Sequence, residues 1–231
     1  MGFLQRKVKI EWSSNFAYAI GLIASDGCAN KDGKKIWLSS KDLELVEKFR
    51  KALSLNNKIG KYARGGEIEK RYFYLSFGDV AFHRFLGDIG ITPAKSRTIK
   101  LVSVPKEYFA DFLRGLFDGD GTFYSFWDIR WKSSFVFKLS FASASINFIS
   151  WLKEKLTEFY GVKGYIHKGV GVLNLEYVKG DSARLFAAMY YKKELLFLNR
   201  KYLKMKDAFE KDEALKLSRE KASIRAAVAQ W

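Results

Sequence analysis

Cysteine, histidine and proline are nearly absent: one, two and two residues respectively in 231. A single cysteine, Cys28, allows no disulfide within the chain, which suits a reducing compartment. With only His83 and His167 beside it, a Cys/His zinc centre is not available and a histidine-based nuclease is disfavoured. No GxxxxGK[ST] loop occurs, which removes the P-loop ATPases. Long uncharged apolar runs are missing, so no membrane span is expected. The opening MGFLQRKVKIEW lacks the apolar centre of a signal peptide, and Arg6 stands where a myristoylation signal needs Ser or Thr. These absences point to an intracellular, non-secreted chain. Acidic charge is scarce as well: 25 Asp and Glu face 41 Lys and Arg, a formal net charge of +16.

Core-forming material is plentiful. Hydrophobic residues make up 48% and aromatics 16%, far from a disordered composition. The length fits one large unit or two of about 100 residues. Such a basic balance bears on partners rather than fold. Nucleic acid is the commonest polyanion to meet it, with an anionic membrane surface as the plainer competitor.

The chain repeats itself. AIGLIASDG at 19–27 and LRGLFDGDG at 113–121 align Gly21 with Gly115, Leu22 with Leu116, Asp26 with Asp120 and Gly27 with Gly121. After each block comes a turn-prone or polar stretch and then an alternating strand, KKIWLSS (34–40) or SFVFKLSFAS (134–143). In the latter, Phe135, Phe137, Leu139 and Phe141 share one face. Helices follow at 40–53 and 145–159, then strand pairs at 58–65 with 71–77 and at 162–168 with 171–178. Helix starts are expected at Gly78-Asp79 and Gly180-Asp181. Each half thus reads αββαββα, an α+β architecture. The expected divisions are a first repeat over 1–91, a linker over 92–106 holding Pro93 and Pro105, a second repeat over 107–211, and a charged helical tail over 212–231.

Gly21 and Gly115 fall inside helical stretches, where glycine costs about 1 kcal/mol relative to alanine; such glycines mark close approach of another backbone. Asp26 and Asp120 fall at helix C-termini, each followed by a glycine suited to a left-handed cap. A carboxylate beside exposed helix-end carbonyls is unfavourable, and a bound cation reverses that by taking both as oxygen ligands. Two such ends side by side suit phosphodiester cleavage. One isolated Asp-Gly would mean only a turn; two within matched blocks of a +16 chain mean more.

The two blocks resemble the signature motifs of LAGLIDADG proteins. The similarity runs from about residue 15 to 210 and includes VPKEYFADFLRGLFDGDG (104–121), LGDIGITPAKS (86–96) and ELLFLNRKY (194–202). It implies two pseudo-symmetric αββαββα repeats, paired central motif helices, and two antiparallel sheets forming a DNA-binding saddle. It implies Asp26 and Asp120 as metal ligands, with backbone carbonyls from Ser25 and Gly119; Mg²⁺ is the expected ion, with Mn²⁺ or Ca²⁺ able to occupy the sites. Asp118 sits at the motif's first acidic letter, opposite Ala24. Element order places Ser40 and Ser145 near the cleaved phosphates, acting through water, and Lys95 and Lys201 as the lysine of each repeat, with Arg200 adjacent. The function so implied is site-specific cleavage of both strands of a long pseudo-palindromic DNA target, as in intron homing.

Outward strand positions carry Lys35, Trp37, Arg64, Lys70, Tyr72, Tyr74, Arg130, Lys132, Lys138, Lys168, Asn174 and Glu176. Cations among them suit phosphates, and the remainder suit base edges in the major groove; singly, each also reads as a solvated strand residue. Two linked halves make a monomer sufficient. The competing readings are an intron-RNA maturase using the same saddle and a metal-free DNA-binding regulator, the latter expected to have lost its aspartates. An intein is disfavoured by the lack of a nucleophile at position 1.

Overall fold

A computed structural model describes residues 6–66, 68–131 and 134–228. Each half has the expected order. The first runs α1 (Ser14–Ser25), β1 (Gly27–Ala29), β2 (Lys35–Ser40), α2 (Leu43–Ala52), β3 (Gly60–Tyr62), β4 (Tyr72–Gly78) and α3 (Val80–Asp88). The second runs α4 (Phe109–Asp120), β5 (Gly121–Trp127), β6 (Phe135–Ser143), α5 (Ile146–Tyr160), β7 (Tyr165–Lys168), β8 (Leu173–Val178) and α6 (Gly180–Met189), followed by α7 (Asn199–Val228). The strands form two four-stranded antiparallel sheets with matching orders, β1-β2-β4-β3 and β5-β6-β8-β7.

Period-two patterning builds both sheets. Ile36, Leu38, Leu75 and Phe77 turn one face of the first sheet to the core; Phe135, Phe137, Leu139, Phe141 and Leu175 do so in the second. Helices cover those faces and leave the opposite ones free. Their ends are set by side chains: Ser13 accepts the Phe16 N–H at 3.2 Å to start α1. Asp79 accepts the Phe82 N–H at 2.9 Å to start α3 and also holds the amides of Lys7 and Val8.

Some expectations are corrected. β1 and β5 occupy stretches read as turn-prone, because a chain leaving each motif helix enters a strand at once. For the same reason Gly27 and Gly121 are not left-handed caps. Gly121 has φ −74°, and neither glycine is among the positive-φ residues. A Cβ on Gly27 would lie 2.6 Å from Ile23 Cα, and one on Gly121 2.2 Å from the Phe117 ring. Glycine is needed there for space, not for handedness. The tail is no separate helix: α7 continues unbroken from Asn199 to Val228, burying Met205 and Ala208 early and exposing Leu217 and Ile224 later.

Candidate active site

The two motif helices meet backbone to backbone. A Cβ on Gly21 would fall 2.1 Å from Phe112 O, and one on Gly115 would fall 2.0 Å from Tyr18 O. Any side chain there would drive the axes apart, so the glycines permit an approach closer than the usual 8–10 Å between helices. The crossing brings the two C-termini together. A Cβ on Gly119 would sit 1.9 Å from Ser25 Oγ and 3.3 Å from Asp26 Oδ2, so the end of α1 lies against the last turn of α4. Asp26 caps α1 and Asp120 ends α4.

Burial pushes the Asp26 carboxyl up to about 6, and the charge of Asp120 adds to the shift; Lys201 and Lys95 oppose it. Asp120 keeps an edge exposed to solvent. Desolvation raises it too, against Lys95 and Lys201. The two lysines close the site from behind. Lys95, on the loop after α3, donates to Ser25 O at 2.8 Å. Lys201, in the first turn of α7, donates to Phe117 O, Gly119 O and Gly121 O at 2.7, 3.1 and 2.6 Å. Both ammonium groups thus neutralise the negative ends of the motif helices. Burial lowers both, Lys201 to about 8, while nearby carboxylates pull the other way.

These groups fit a hard divalent cation. Two carboxylates and the Ser25 and Gly119 carbonyls form an all-oxygen set, and the two carbonyls already accept cationic groups. Among the described residues no three His, Cys, Asp or Glu side chains converge, so main-chain oxygens must complete any coordination.

The serines are corrected by register. Leu38 lies opposite Gly27, and Phe141 lies opposite Gly121. Counting on two residues in each strand pairs Ser40 with Ser143, not Ser145. Ser40 Oγ accepts the Asp42 N–H and Ser143 Oγ the Ser145 N–H, both at 3.1 Å, so the two hydroxyls are equivalent. Ser145 is instead the N-cap of α5: it is buried, accepts the Phe148 N–H, and donates to Ile99 O. Its hydroxyl is committed to the backbone. Ser143 lines the cleft beside Asp120 with Ser25, Lys95 and Ser96. Asp118 points away from that cleft. It is buried and takes bonds from Tyr18 OH at 2.8 Å and Leu198 N at 2.7 Å, which pin the segment entering α7.

The uncovered sheet faces differ. On the first, Trp37 stacks on Tyr74 at 4.2 Å between ring centroids, 8° from parallel. Tyr62 packs against both and against Tyr72. Lys35, Lys41 and Arg64 lie over these rings; Lys70 is exposed nearby. Tyr62 and Lys41 were not anticipated, although a tyrosine opposite Tyr72 in the β3–β4 register was a usable signal. On the second, Glu176 takes the outward strand face but is buried there by its neighbours. Lys138 bonds it at 2.6 Å, Tyr124 and Tyr165 donate to it, and His167 lies 3.8 Å away. Lys138 and Glu176 therefore satisfy each other in this structure. Asn174 shares that face; Lys168 is exposed, and Arg130 is exposed but folded onto Asp128. Lys132 lies outside the described residues.

Residues 13–90 match the family model for the LAGLIDADG-like domain. The first repeat is thus similar to a LAGLIDADG-like domain over these residues. The second carries the same elements in the same sheet order, giving a single chain with a two-domain LAGLIDADG fold. Solved structures agree on that fold. The I-LtrWI LAGLIDADG homing endonuclease bound to target DNA aligns over 90% of this chain and 91% of its own, at TM-score 0.57 and 12% identity. The N-terminal LAGLIDADG domain of DUF199/WhiA aligns over 84% and 96%, at 0.52 and 16%. Full-length DUF199/WhiA from Thermatoga maritima aligns over 96% of this chain and 72% of its own, at 0.56 and 14%. No curated protein sequence matches. No described helix is long and apolar enough to cross a membrane.

Proposed function

We propose that this LAGLIDADG-like chain is a divalent-metal-dependent endonuclease that cuts both strands of a long, pseudo-palindromic duplex. One observation carries the reading: two carboxylates, each raised by desolvation, stand at the abutting ends of α1 and α4 with a lysine behind each. A structural protein gains nothing from crowding like charges there, whereas a reaction run once per DNA strand needs such a pair.

Asp26 and Asp120, with the carbonyls of Ser25 and Gly119, would hold the cation, Mg²⁺ with Mn²⁺ or Ca²⁺ as alternatives. Bound there, it would supply Lewis acidity at a phosphate and an acidified water. The chain's own groups do the rest. Lys95 and Lys201 hold the motif ends in place and balance phosphate charge. Ser40 and Ser143, each with a hydroxyl proton free to donate, order water at the cleft. The two sheet faces grip duplex DNA through phosphate contacts, while the groove-facing side chains select sequence. Internal duplication supplies both halves, so a monomer acts alone.

A second reading is duplex binding without cutting. It is favoured by the lysine ammonium groups already seated on the carbonyls a metal would use, and the likeness to DUF199/WhiA extends the fold beyond the homing endonucleases. No observation favours intron RNA over duplex DNA. The two readings separate when a randomised duplex library is incubated with protein and Mg²⁺ and the product ends are sequenced. Breaks at one consensus, abolished by EDTA and replaced by binding with little cutting in Ca²⁺, are expected. Retention of a consensus with intact ends in Mg²⁺ would establish the second reading instead.

A further inference from the structure

The lysine behind each motif end is carried by a segment that is fastened to the opposite repeat. On one side the loop after α3 closes a turn: Thr98 N and Ile99 N donate to Lys95 O at 3.0 and 2.9 Å. Ile99 O then accepts the hydroxyl of Ser145, the N-cap of α5. On the other side Lys201 follows Arg200 in the first turn of α7. Arg200 Nε donates to Asp42 Oδ2 at 2.7 Å, and Asp42 is the N-cap of α2. Asn199 donates to Glu44 through its backbone N–H, at 3.3 Å, and through its side-chain amide. The two N-caps are equivalent, because Ser40 Oγ accepts the Asp42 N–H as Ser143 Oγ accepts the Ser145 N–H. A buried hydroxyl–carbonyl bond and an exposed ion pair thus fasten equivalent positions by unrelated chemistry.

The start of α7 is held from both halves. Leu198 N donates to Asp118 of the second repeat and Asn199 N to Glu44 of the first, so a carboxylate from each meets the amides that open the helix. The Arg200 side chain is 62% exposed, and an exposed pair adds little to stability. Its effect on geometry is the larger one. Lys201 Nζ meets three carbonyls at 2.6 to 3.1 Å, and a helix advances only about 1.5 Å per residue, so a small slip of α7 unseats it. Resting on the reading that this chain cuts DNA at Asp26 and Asp120, we propose that Asp42 is a positioning residue for the opposite half: through Arg200 it sets Lys201 at the end of α4. Cleavage of one strand then depends on the N-terminus of α2, which belongs to the other repeat.

The test uses the full chain, Mg²⁺ and an end-labelled duplex selected from a randomised library, with the two strands followed separately. Lys201→Met identifies the strand that depends on Lys201. Asp42→Asn keeps the helix cap, since Asn serves there as well as Asp, and removes the charge that Arg200 meets. Asp42→Asn and Arg200→Gln should each slow that strand about threefold to tenfold and leave the other within about twofold. The double variant should be no slower than the slower single, Arg200→Lys should cut nearly as wild type does, and all should melt within about 2 °C of wild type. The Lys201 and Tyr202 amides both bond Leu198 O at 3.1 Å. Their hydrogen exchange should quicken about twofold to fivefold in the metal-free Asp42→Asn and Arg200→Gln proteins. Equal loss on both strands, unchanged cleavage, additive losses or unchanged exchange would overturn the proposal while cleavage by wild type stands. Wild type that cuts neither strand would remove the nuclease reading itself and the proposal with it.

Discussion

The two repeats are nearly interchangeable at the centre and unlike at the periphery. Gly21 and Gly115 each lie against the opposite helix's backbone, Asp26 and Asp120 end the two helices, and Lys95 and Lys201 seat on equivalent carbonyls. Even within the motif helices the match is incomplete: Ala24 answers Asp118, and the buried Arg114–Asp111 pair at 2.7 Å has Ile20 and Ala17 at the matching positions of α1. One sheet face is an aromatic and cationic surface; the other encloses a neutralised glutamate. On the proposed function, symmetry persists where the same chemistry would be done twice and is lost where sequence would be read, because two DNA strands would share one reaction but not one sequence.

The shared centre breaks most severely. Gly21→Leu or Gly115→Leu should unfold the chain or cost more than about 4 kcal/mol, since backbone atoms fill the space a side chain needs; thermal melting checks this, and a loss under about 1 kcal/mol would mean the helices are not packed as described. Next comes the asymmetric support. Arg114 donates to Leu196 O, Met189 O and Asp111. Arg114→Met should therefore cost about 3–5 kcal/mol by leaving a buried carboxylate unpaired, and Arg114→Met/Asp111→Leu should recover much of it in chemical denaturation.

The charged centre should leave a mark on the pH dependence. Asp26 titrates near 6 instead of 3.8. Its folded value is raised, so the metal-free fold is favoured below about 4 and loses stability as pH climbs through 6, on the order of 2–3 kcal/mol. Lys201 titrates near 8 instead of 10.5, so its cost is relieved as pH rises from 8 towards 10.5. Metal-free protein should show a stability minimum between pH 6 and 8, shallower in Mg²⁺ and in Asp26→Asn. A stability maximum in that window would contradict the crowded-carboxylate picture.

The smallest effect tests the sheet faces. Glu176→Gln should free the Lys138 charge and steepen the salt dependence of duplex binding by about one phosphate contact. The strands of the first sheet contain no Asp or Glu to remove.

Much of this was legible in the sequence. The motif blocks carry their chemistry in fixed order, so Asp26, Asp120 and the helix-crossing glycines could be located by repetition alone, and alternation marked the core faces of β2, β4, β6 and β8. The serines were not legible to within two residues, because Ser143 and Ser145 are chemically alike and only the Gly121↔Phe141 register tells them apart. Glu176 read as outward because strand alternation shows which face a residue takes but not that Lys138, Tyr124 and Tyr165 enclose it there.

The central claim rests on the two aspartates acting as one site. Asp26→Asn and Asp120→Asn proteins, singly and together, should be incubated with Mg²⁺ and the consensus duplex while cleavage of each strand is measured. All three should keep binding and melt no lower than wild type, yet lose double-strand cleavage, with the double variant no worse than the more damaged single. Undiminished cleavage by the double variant would contradict the account.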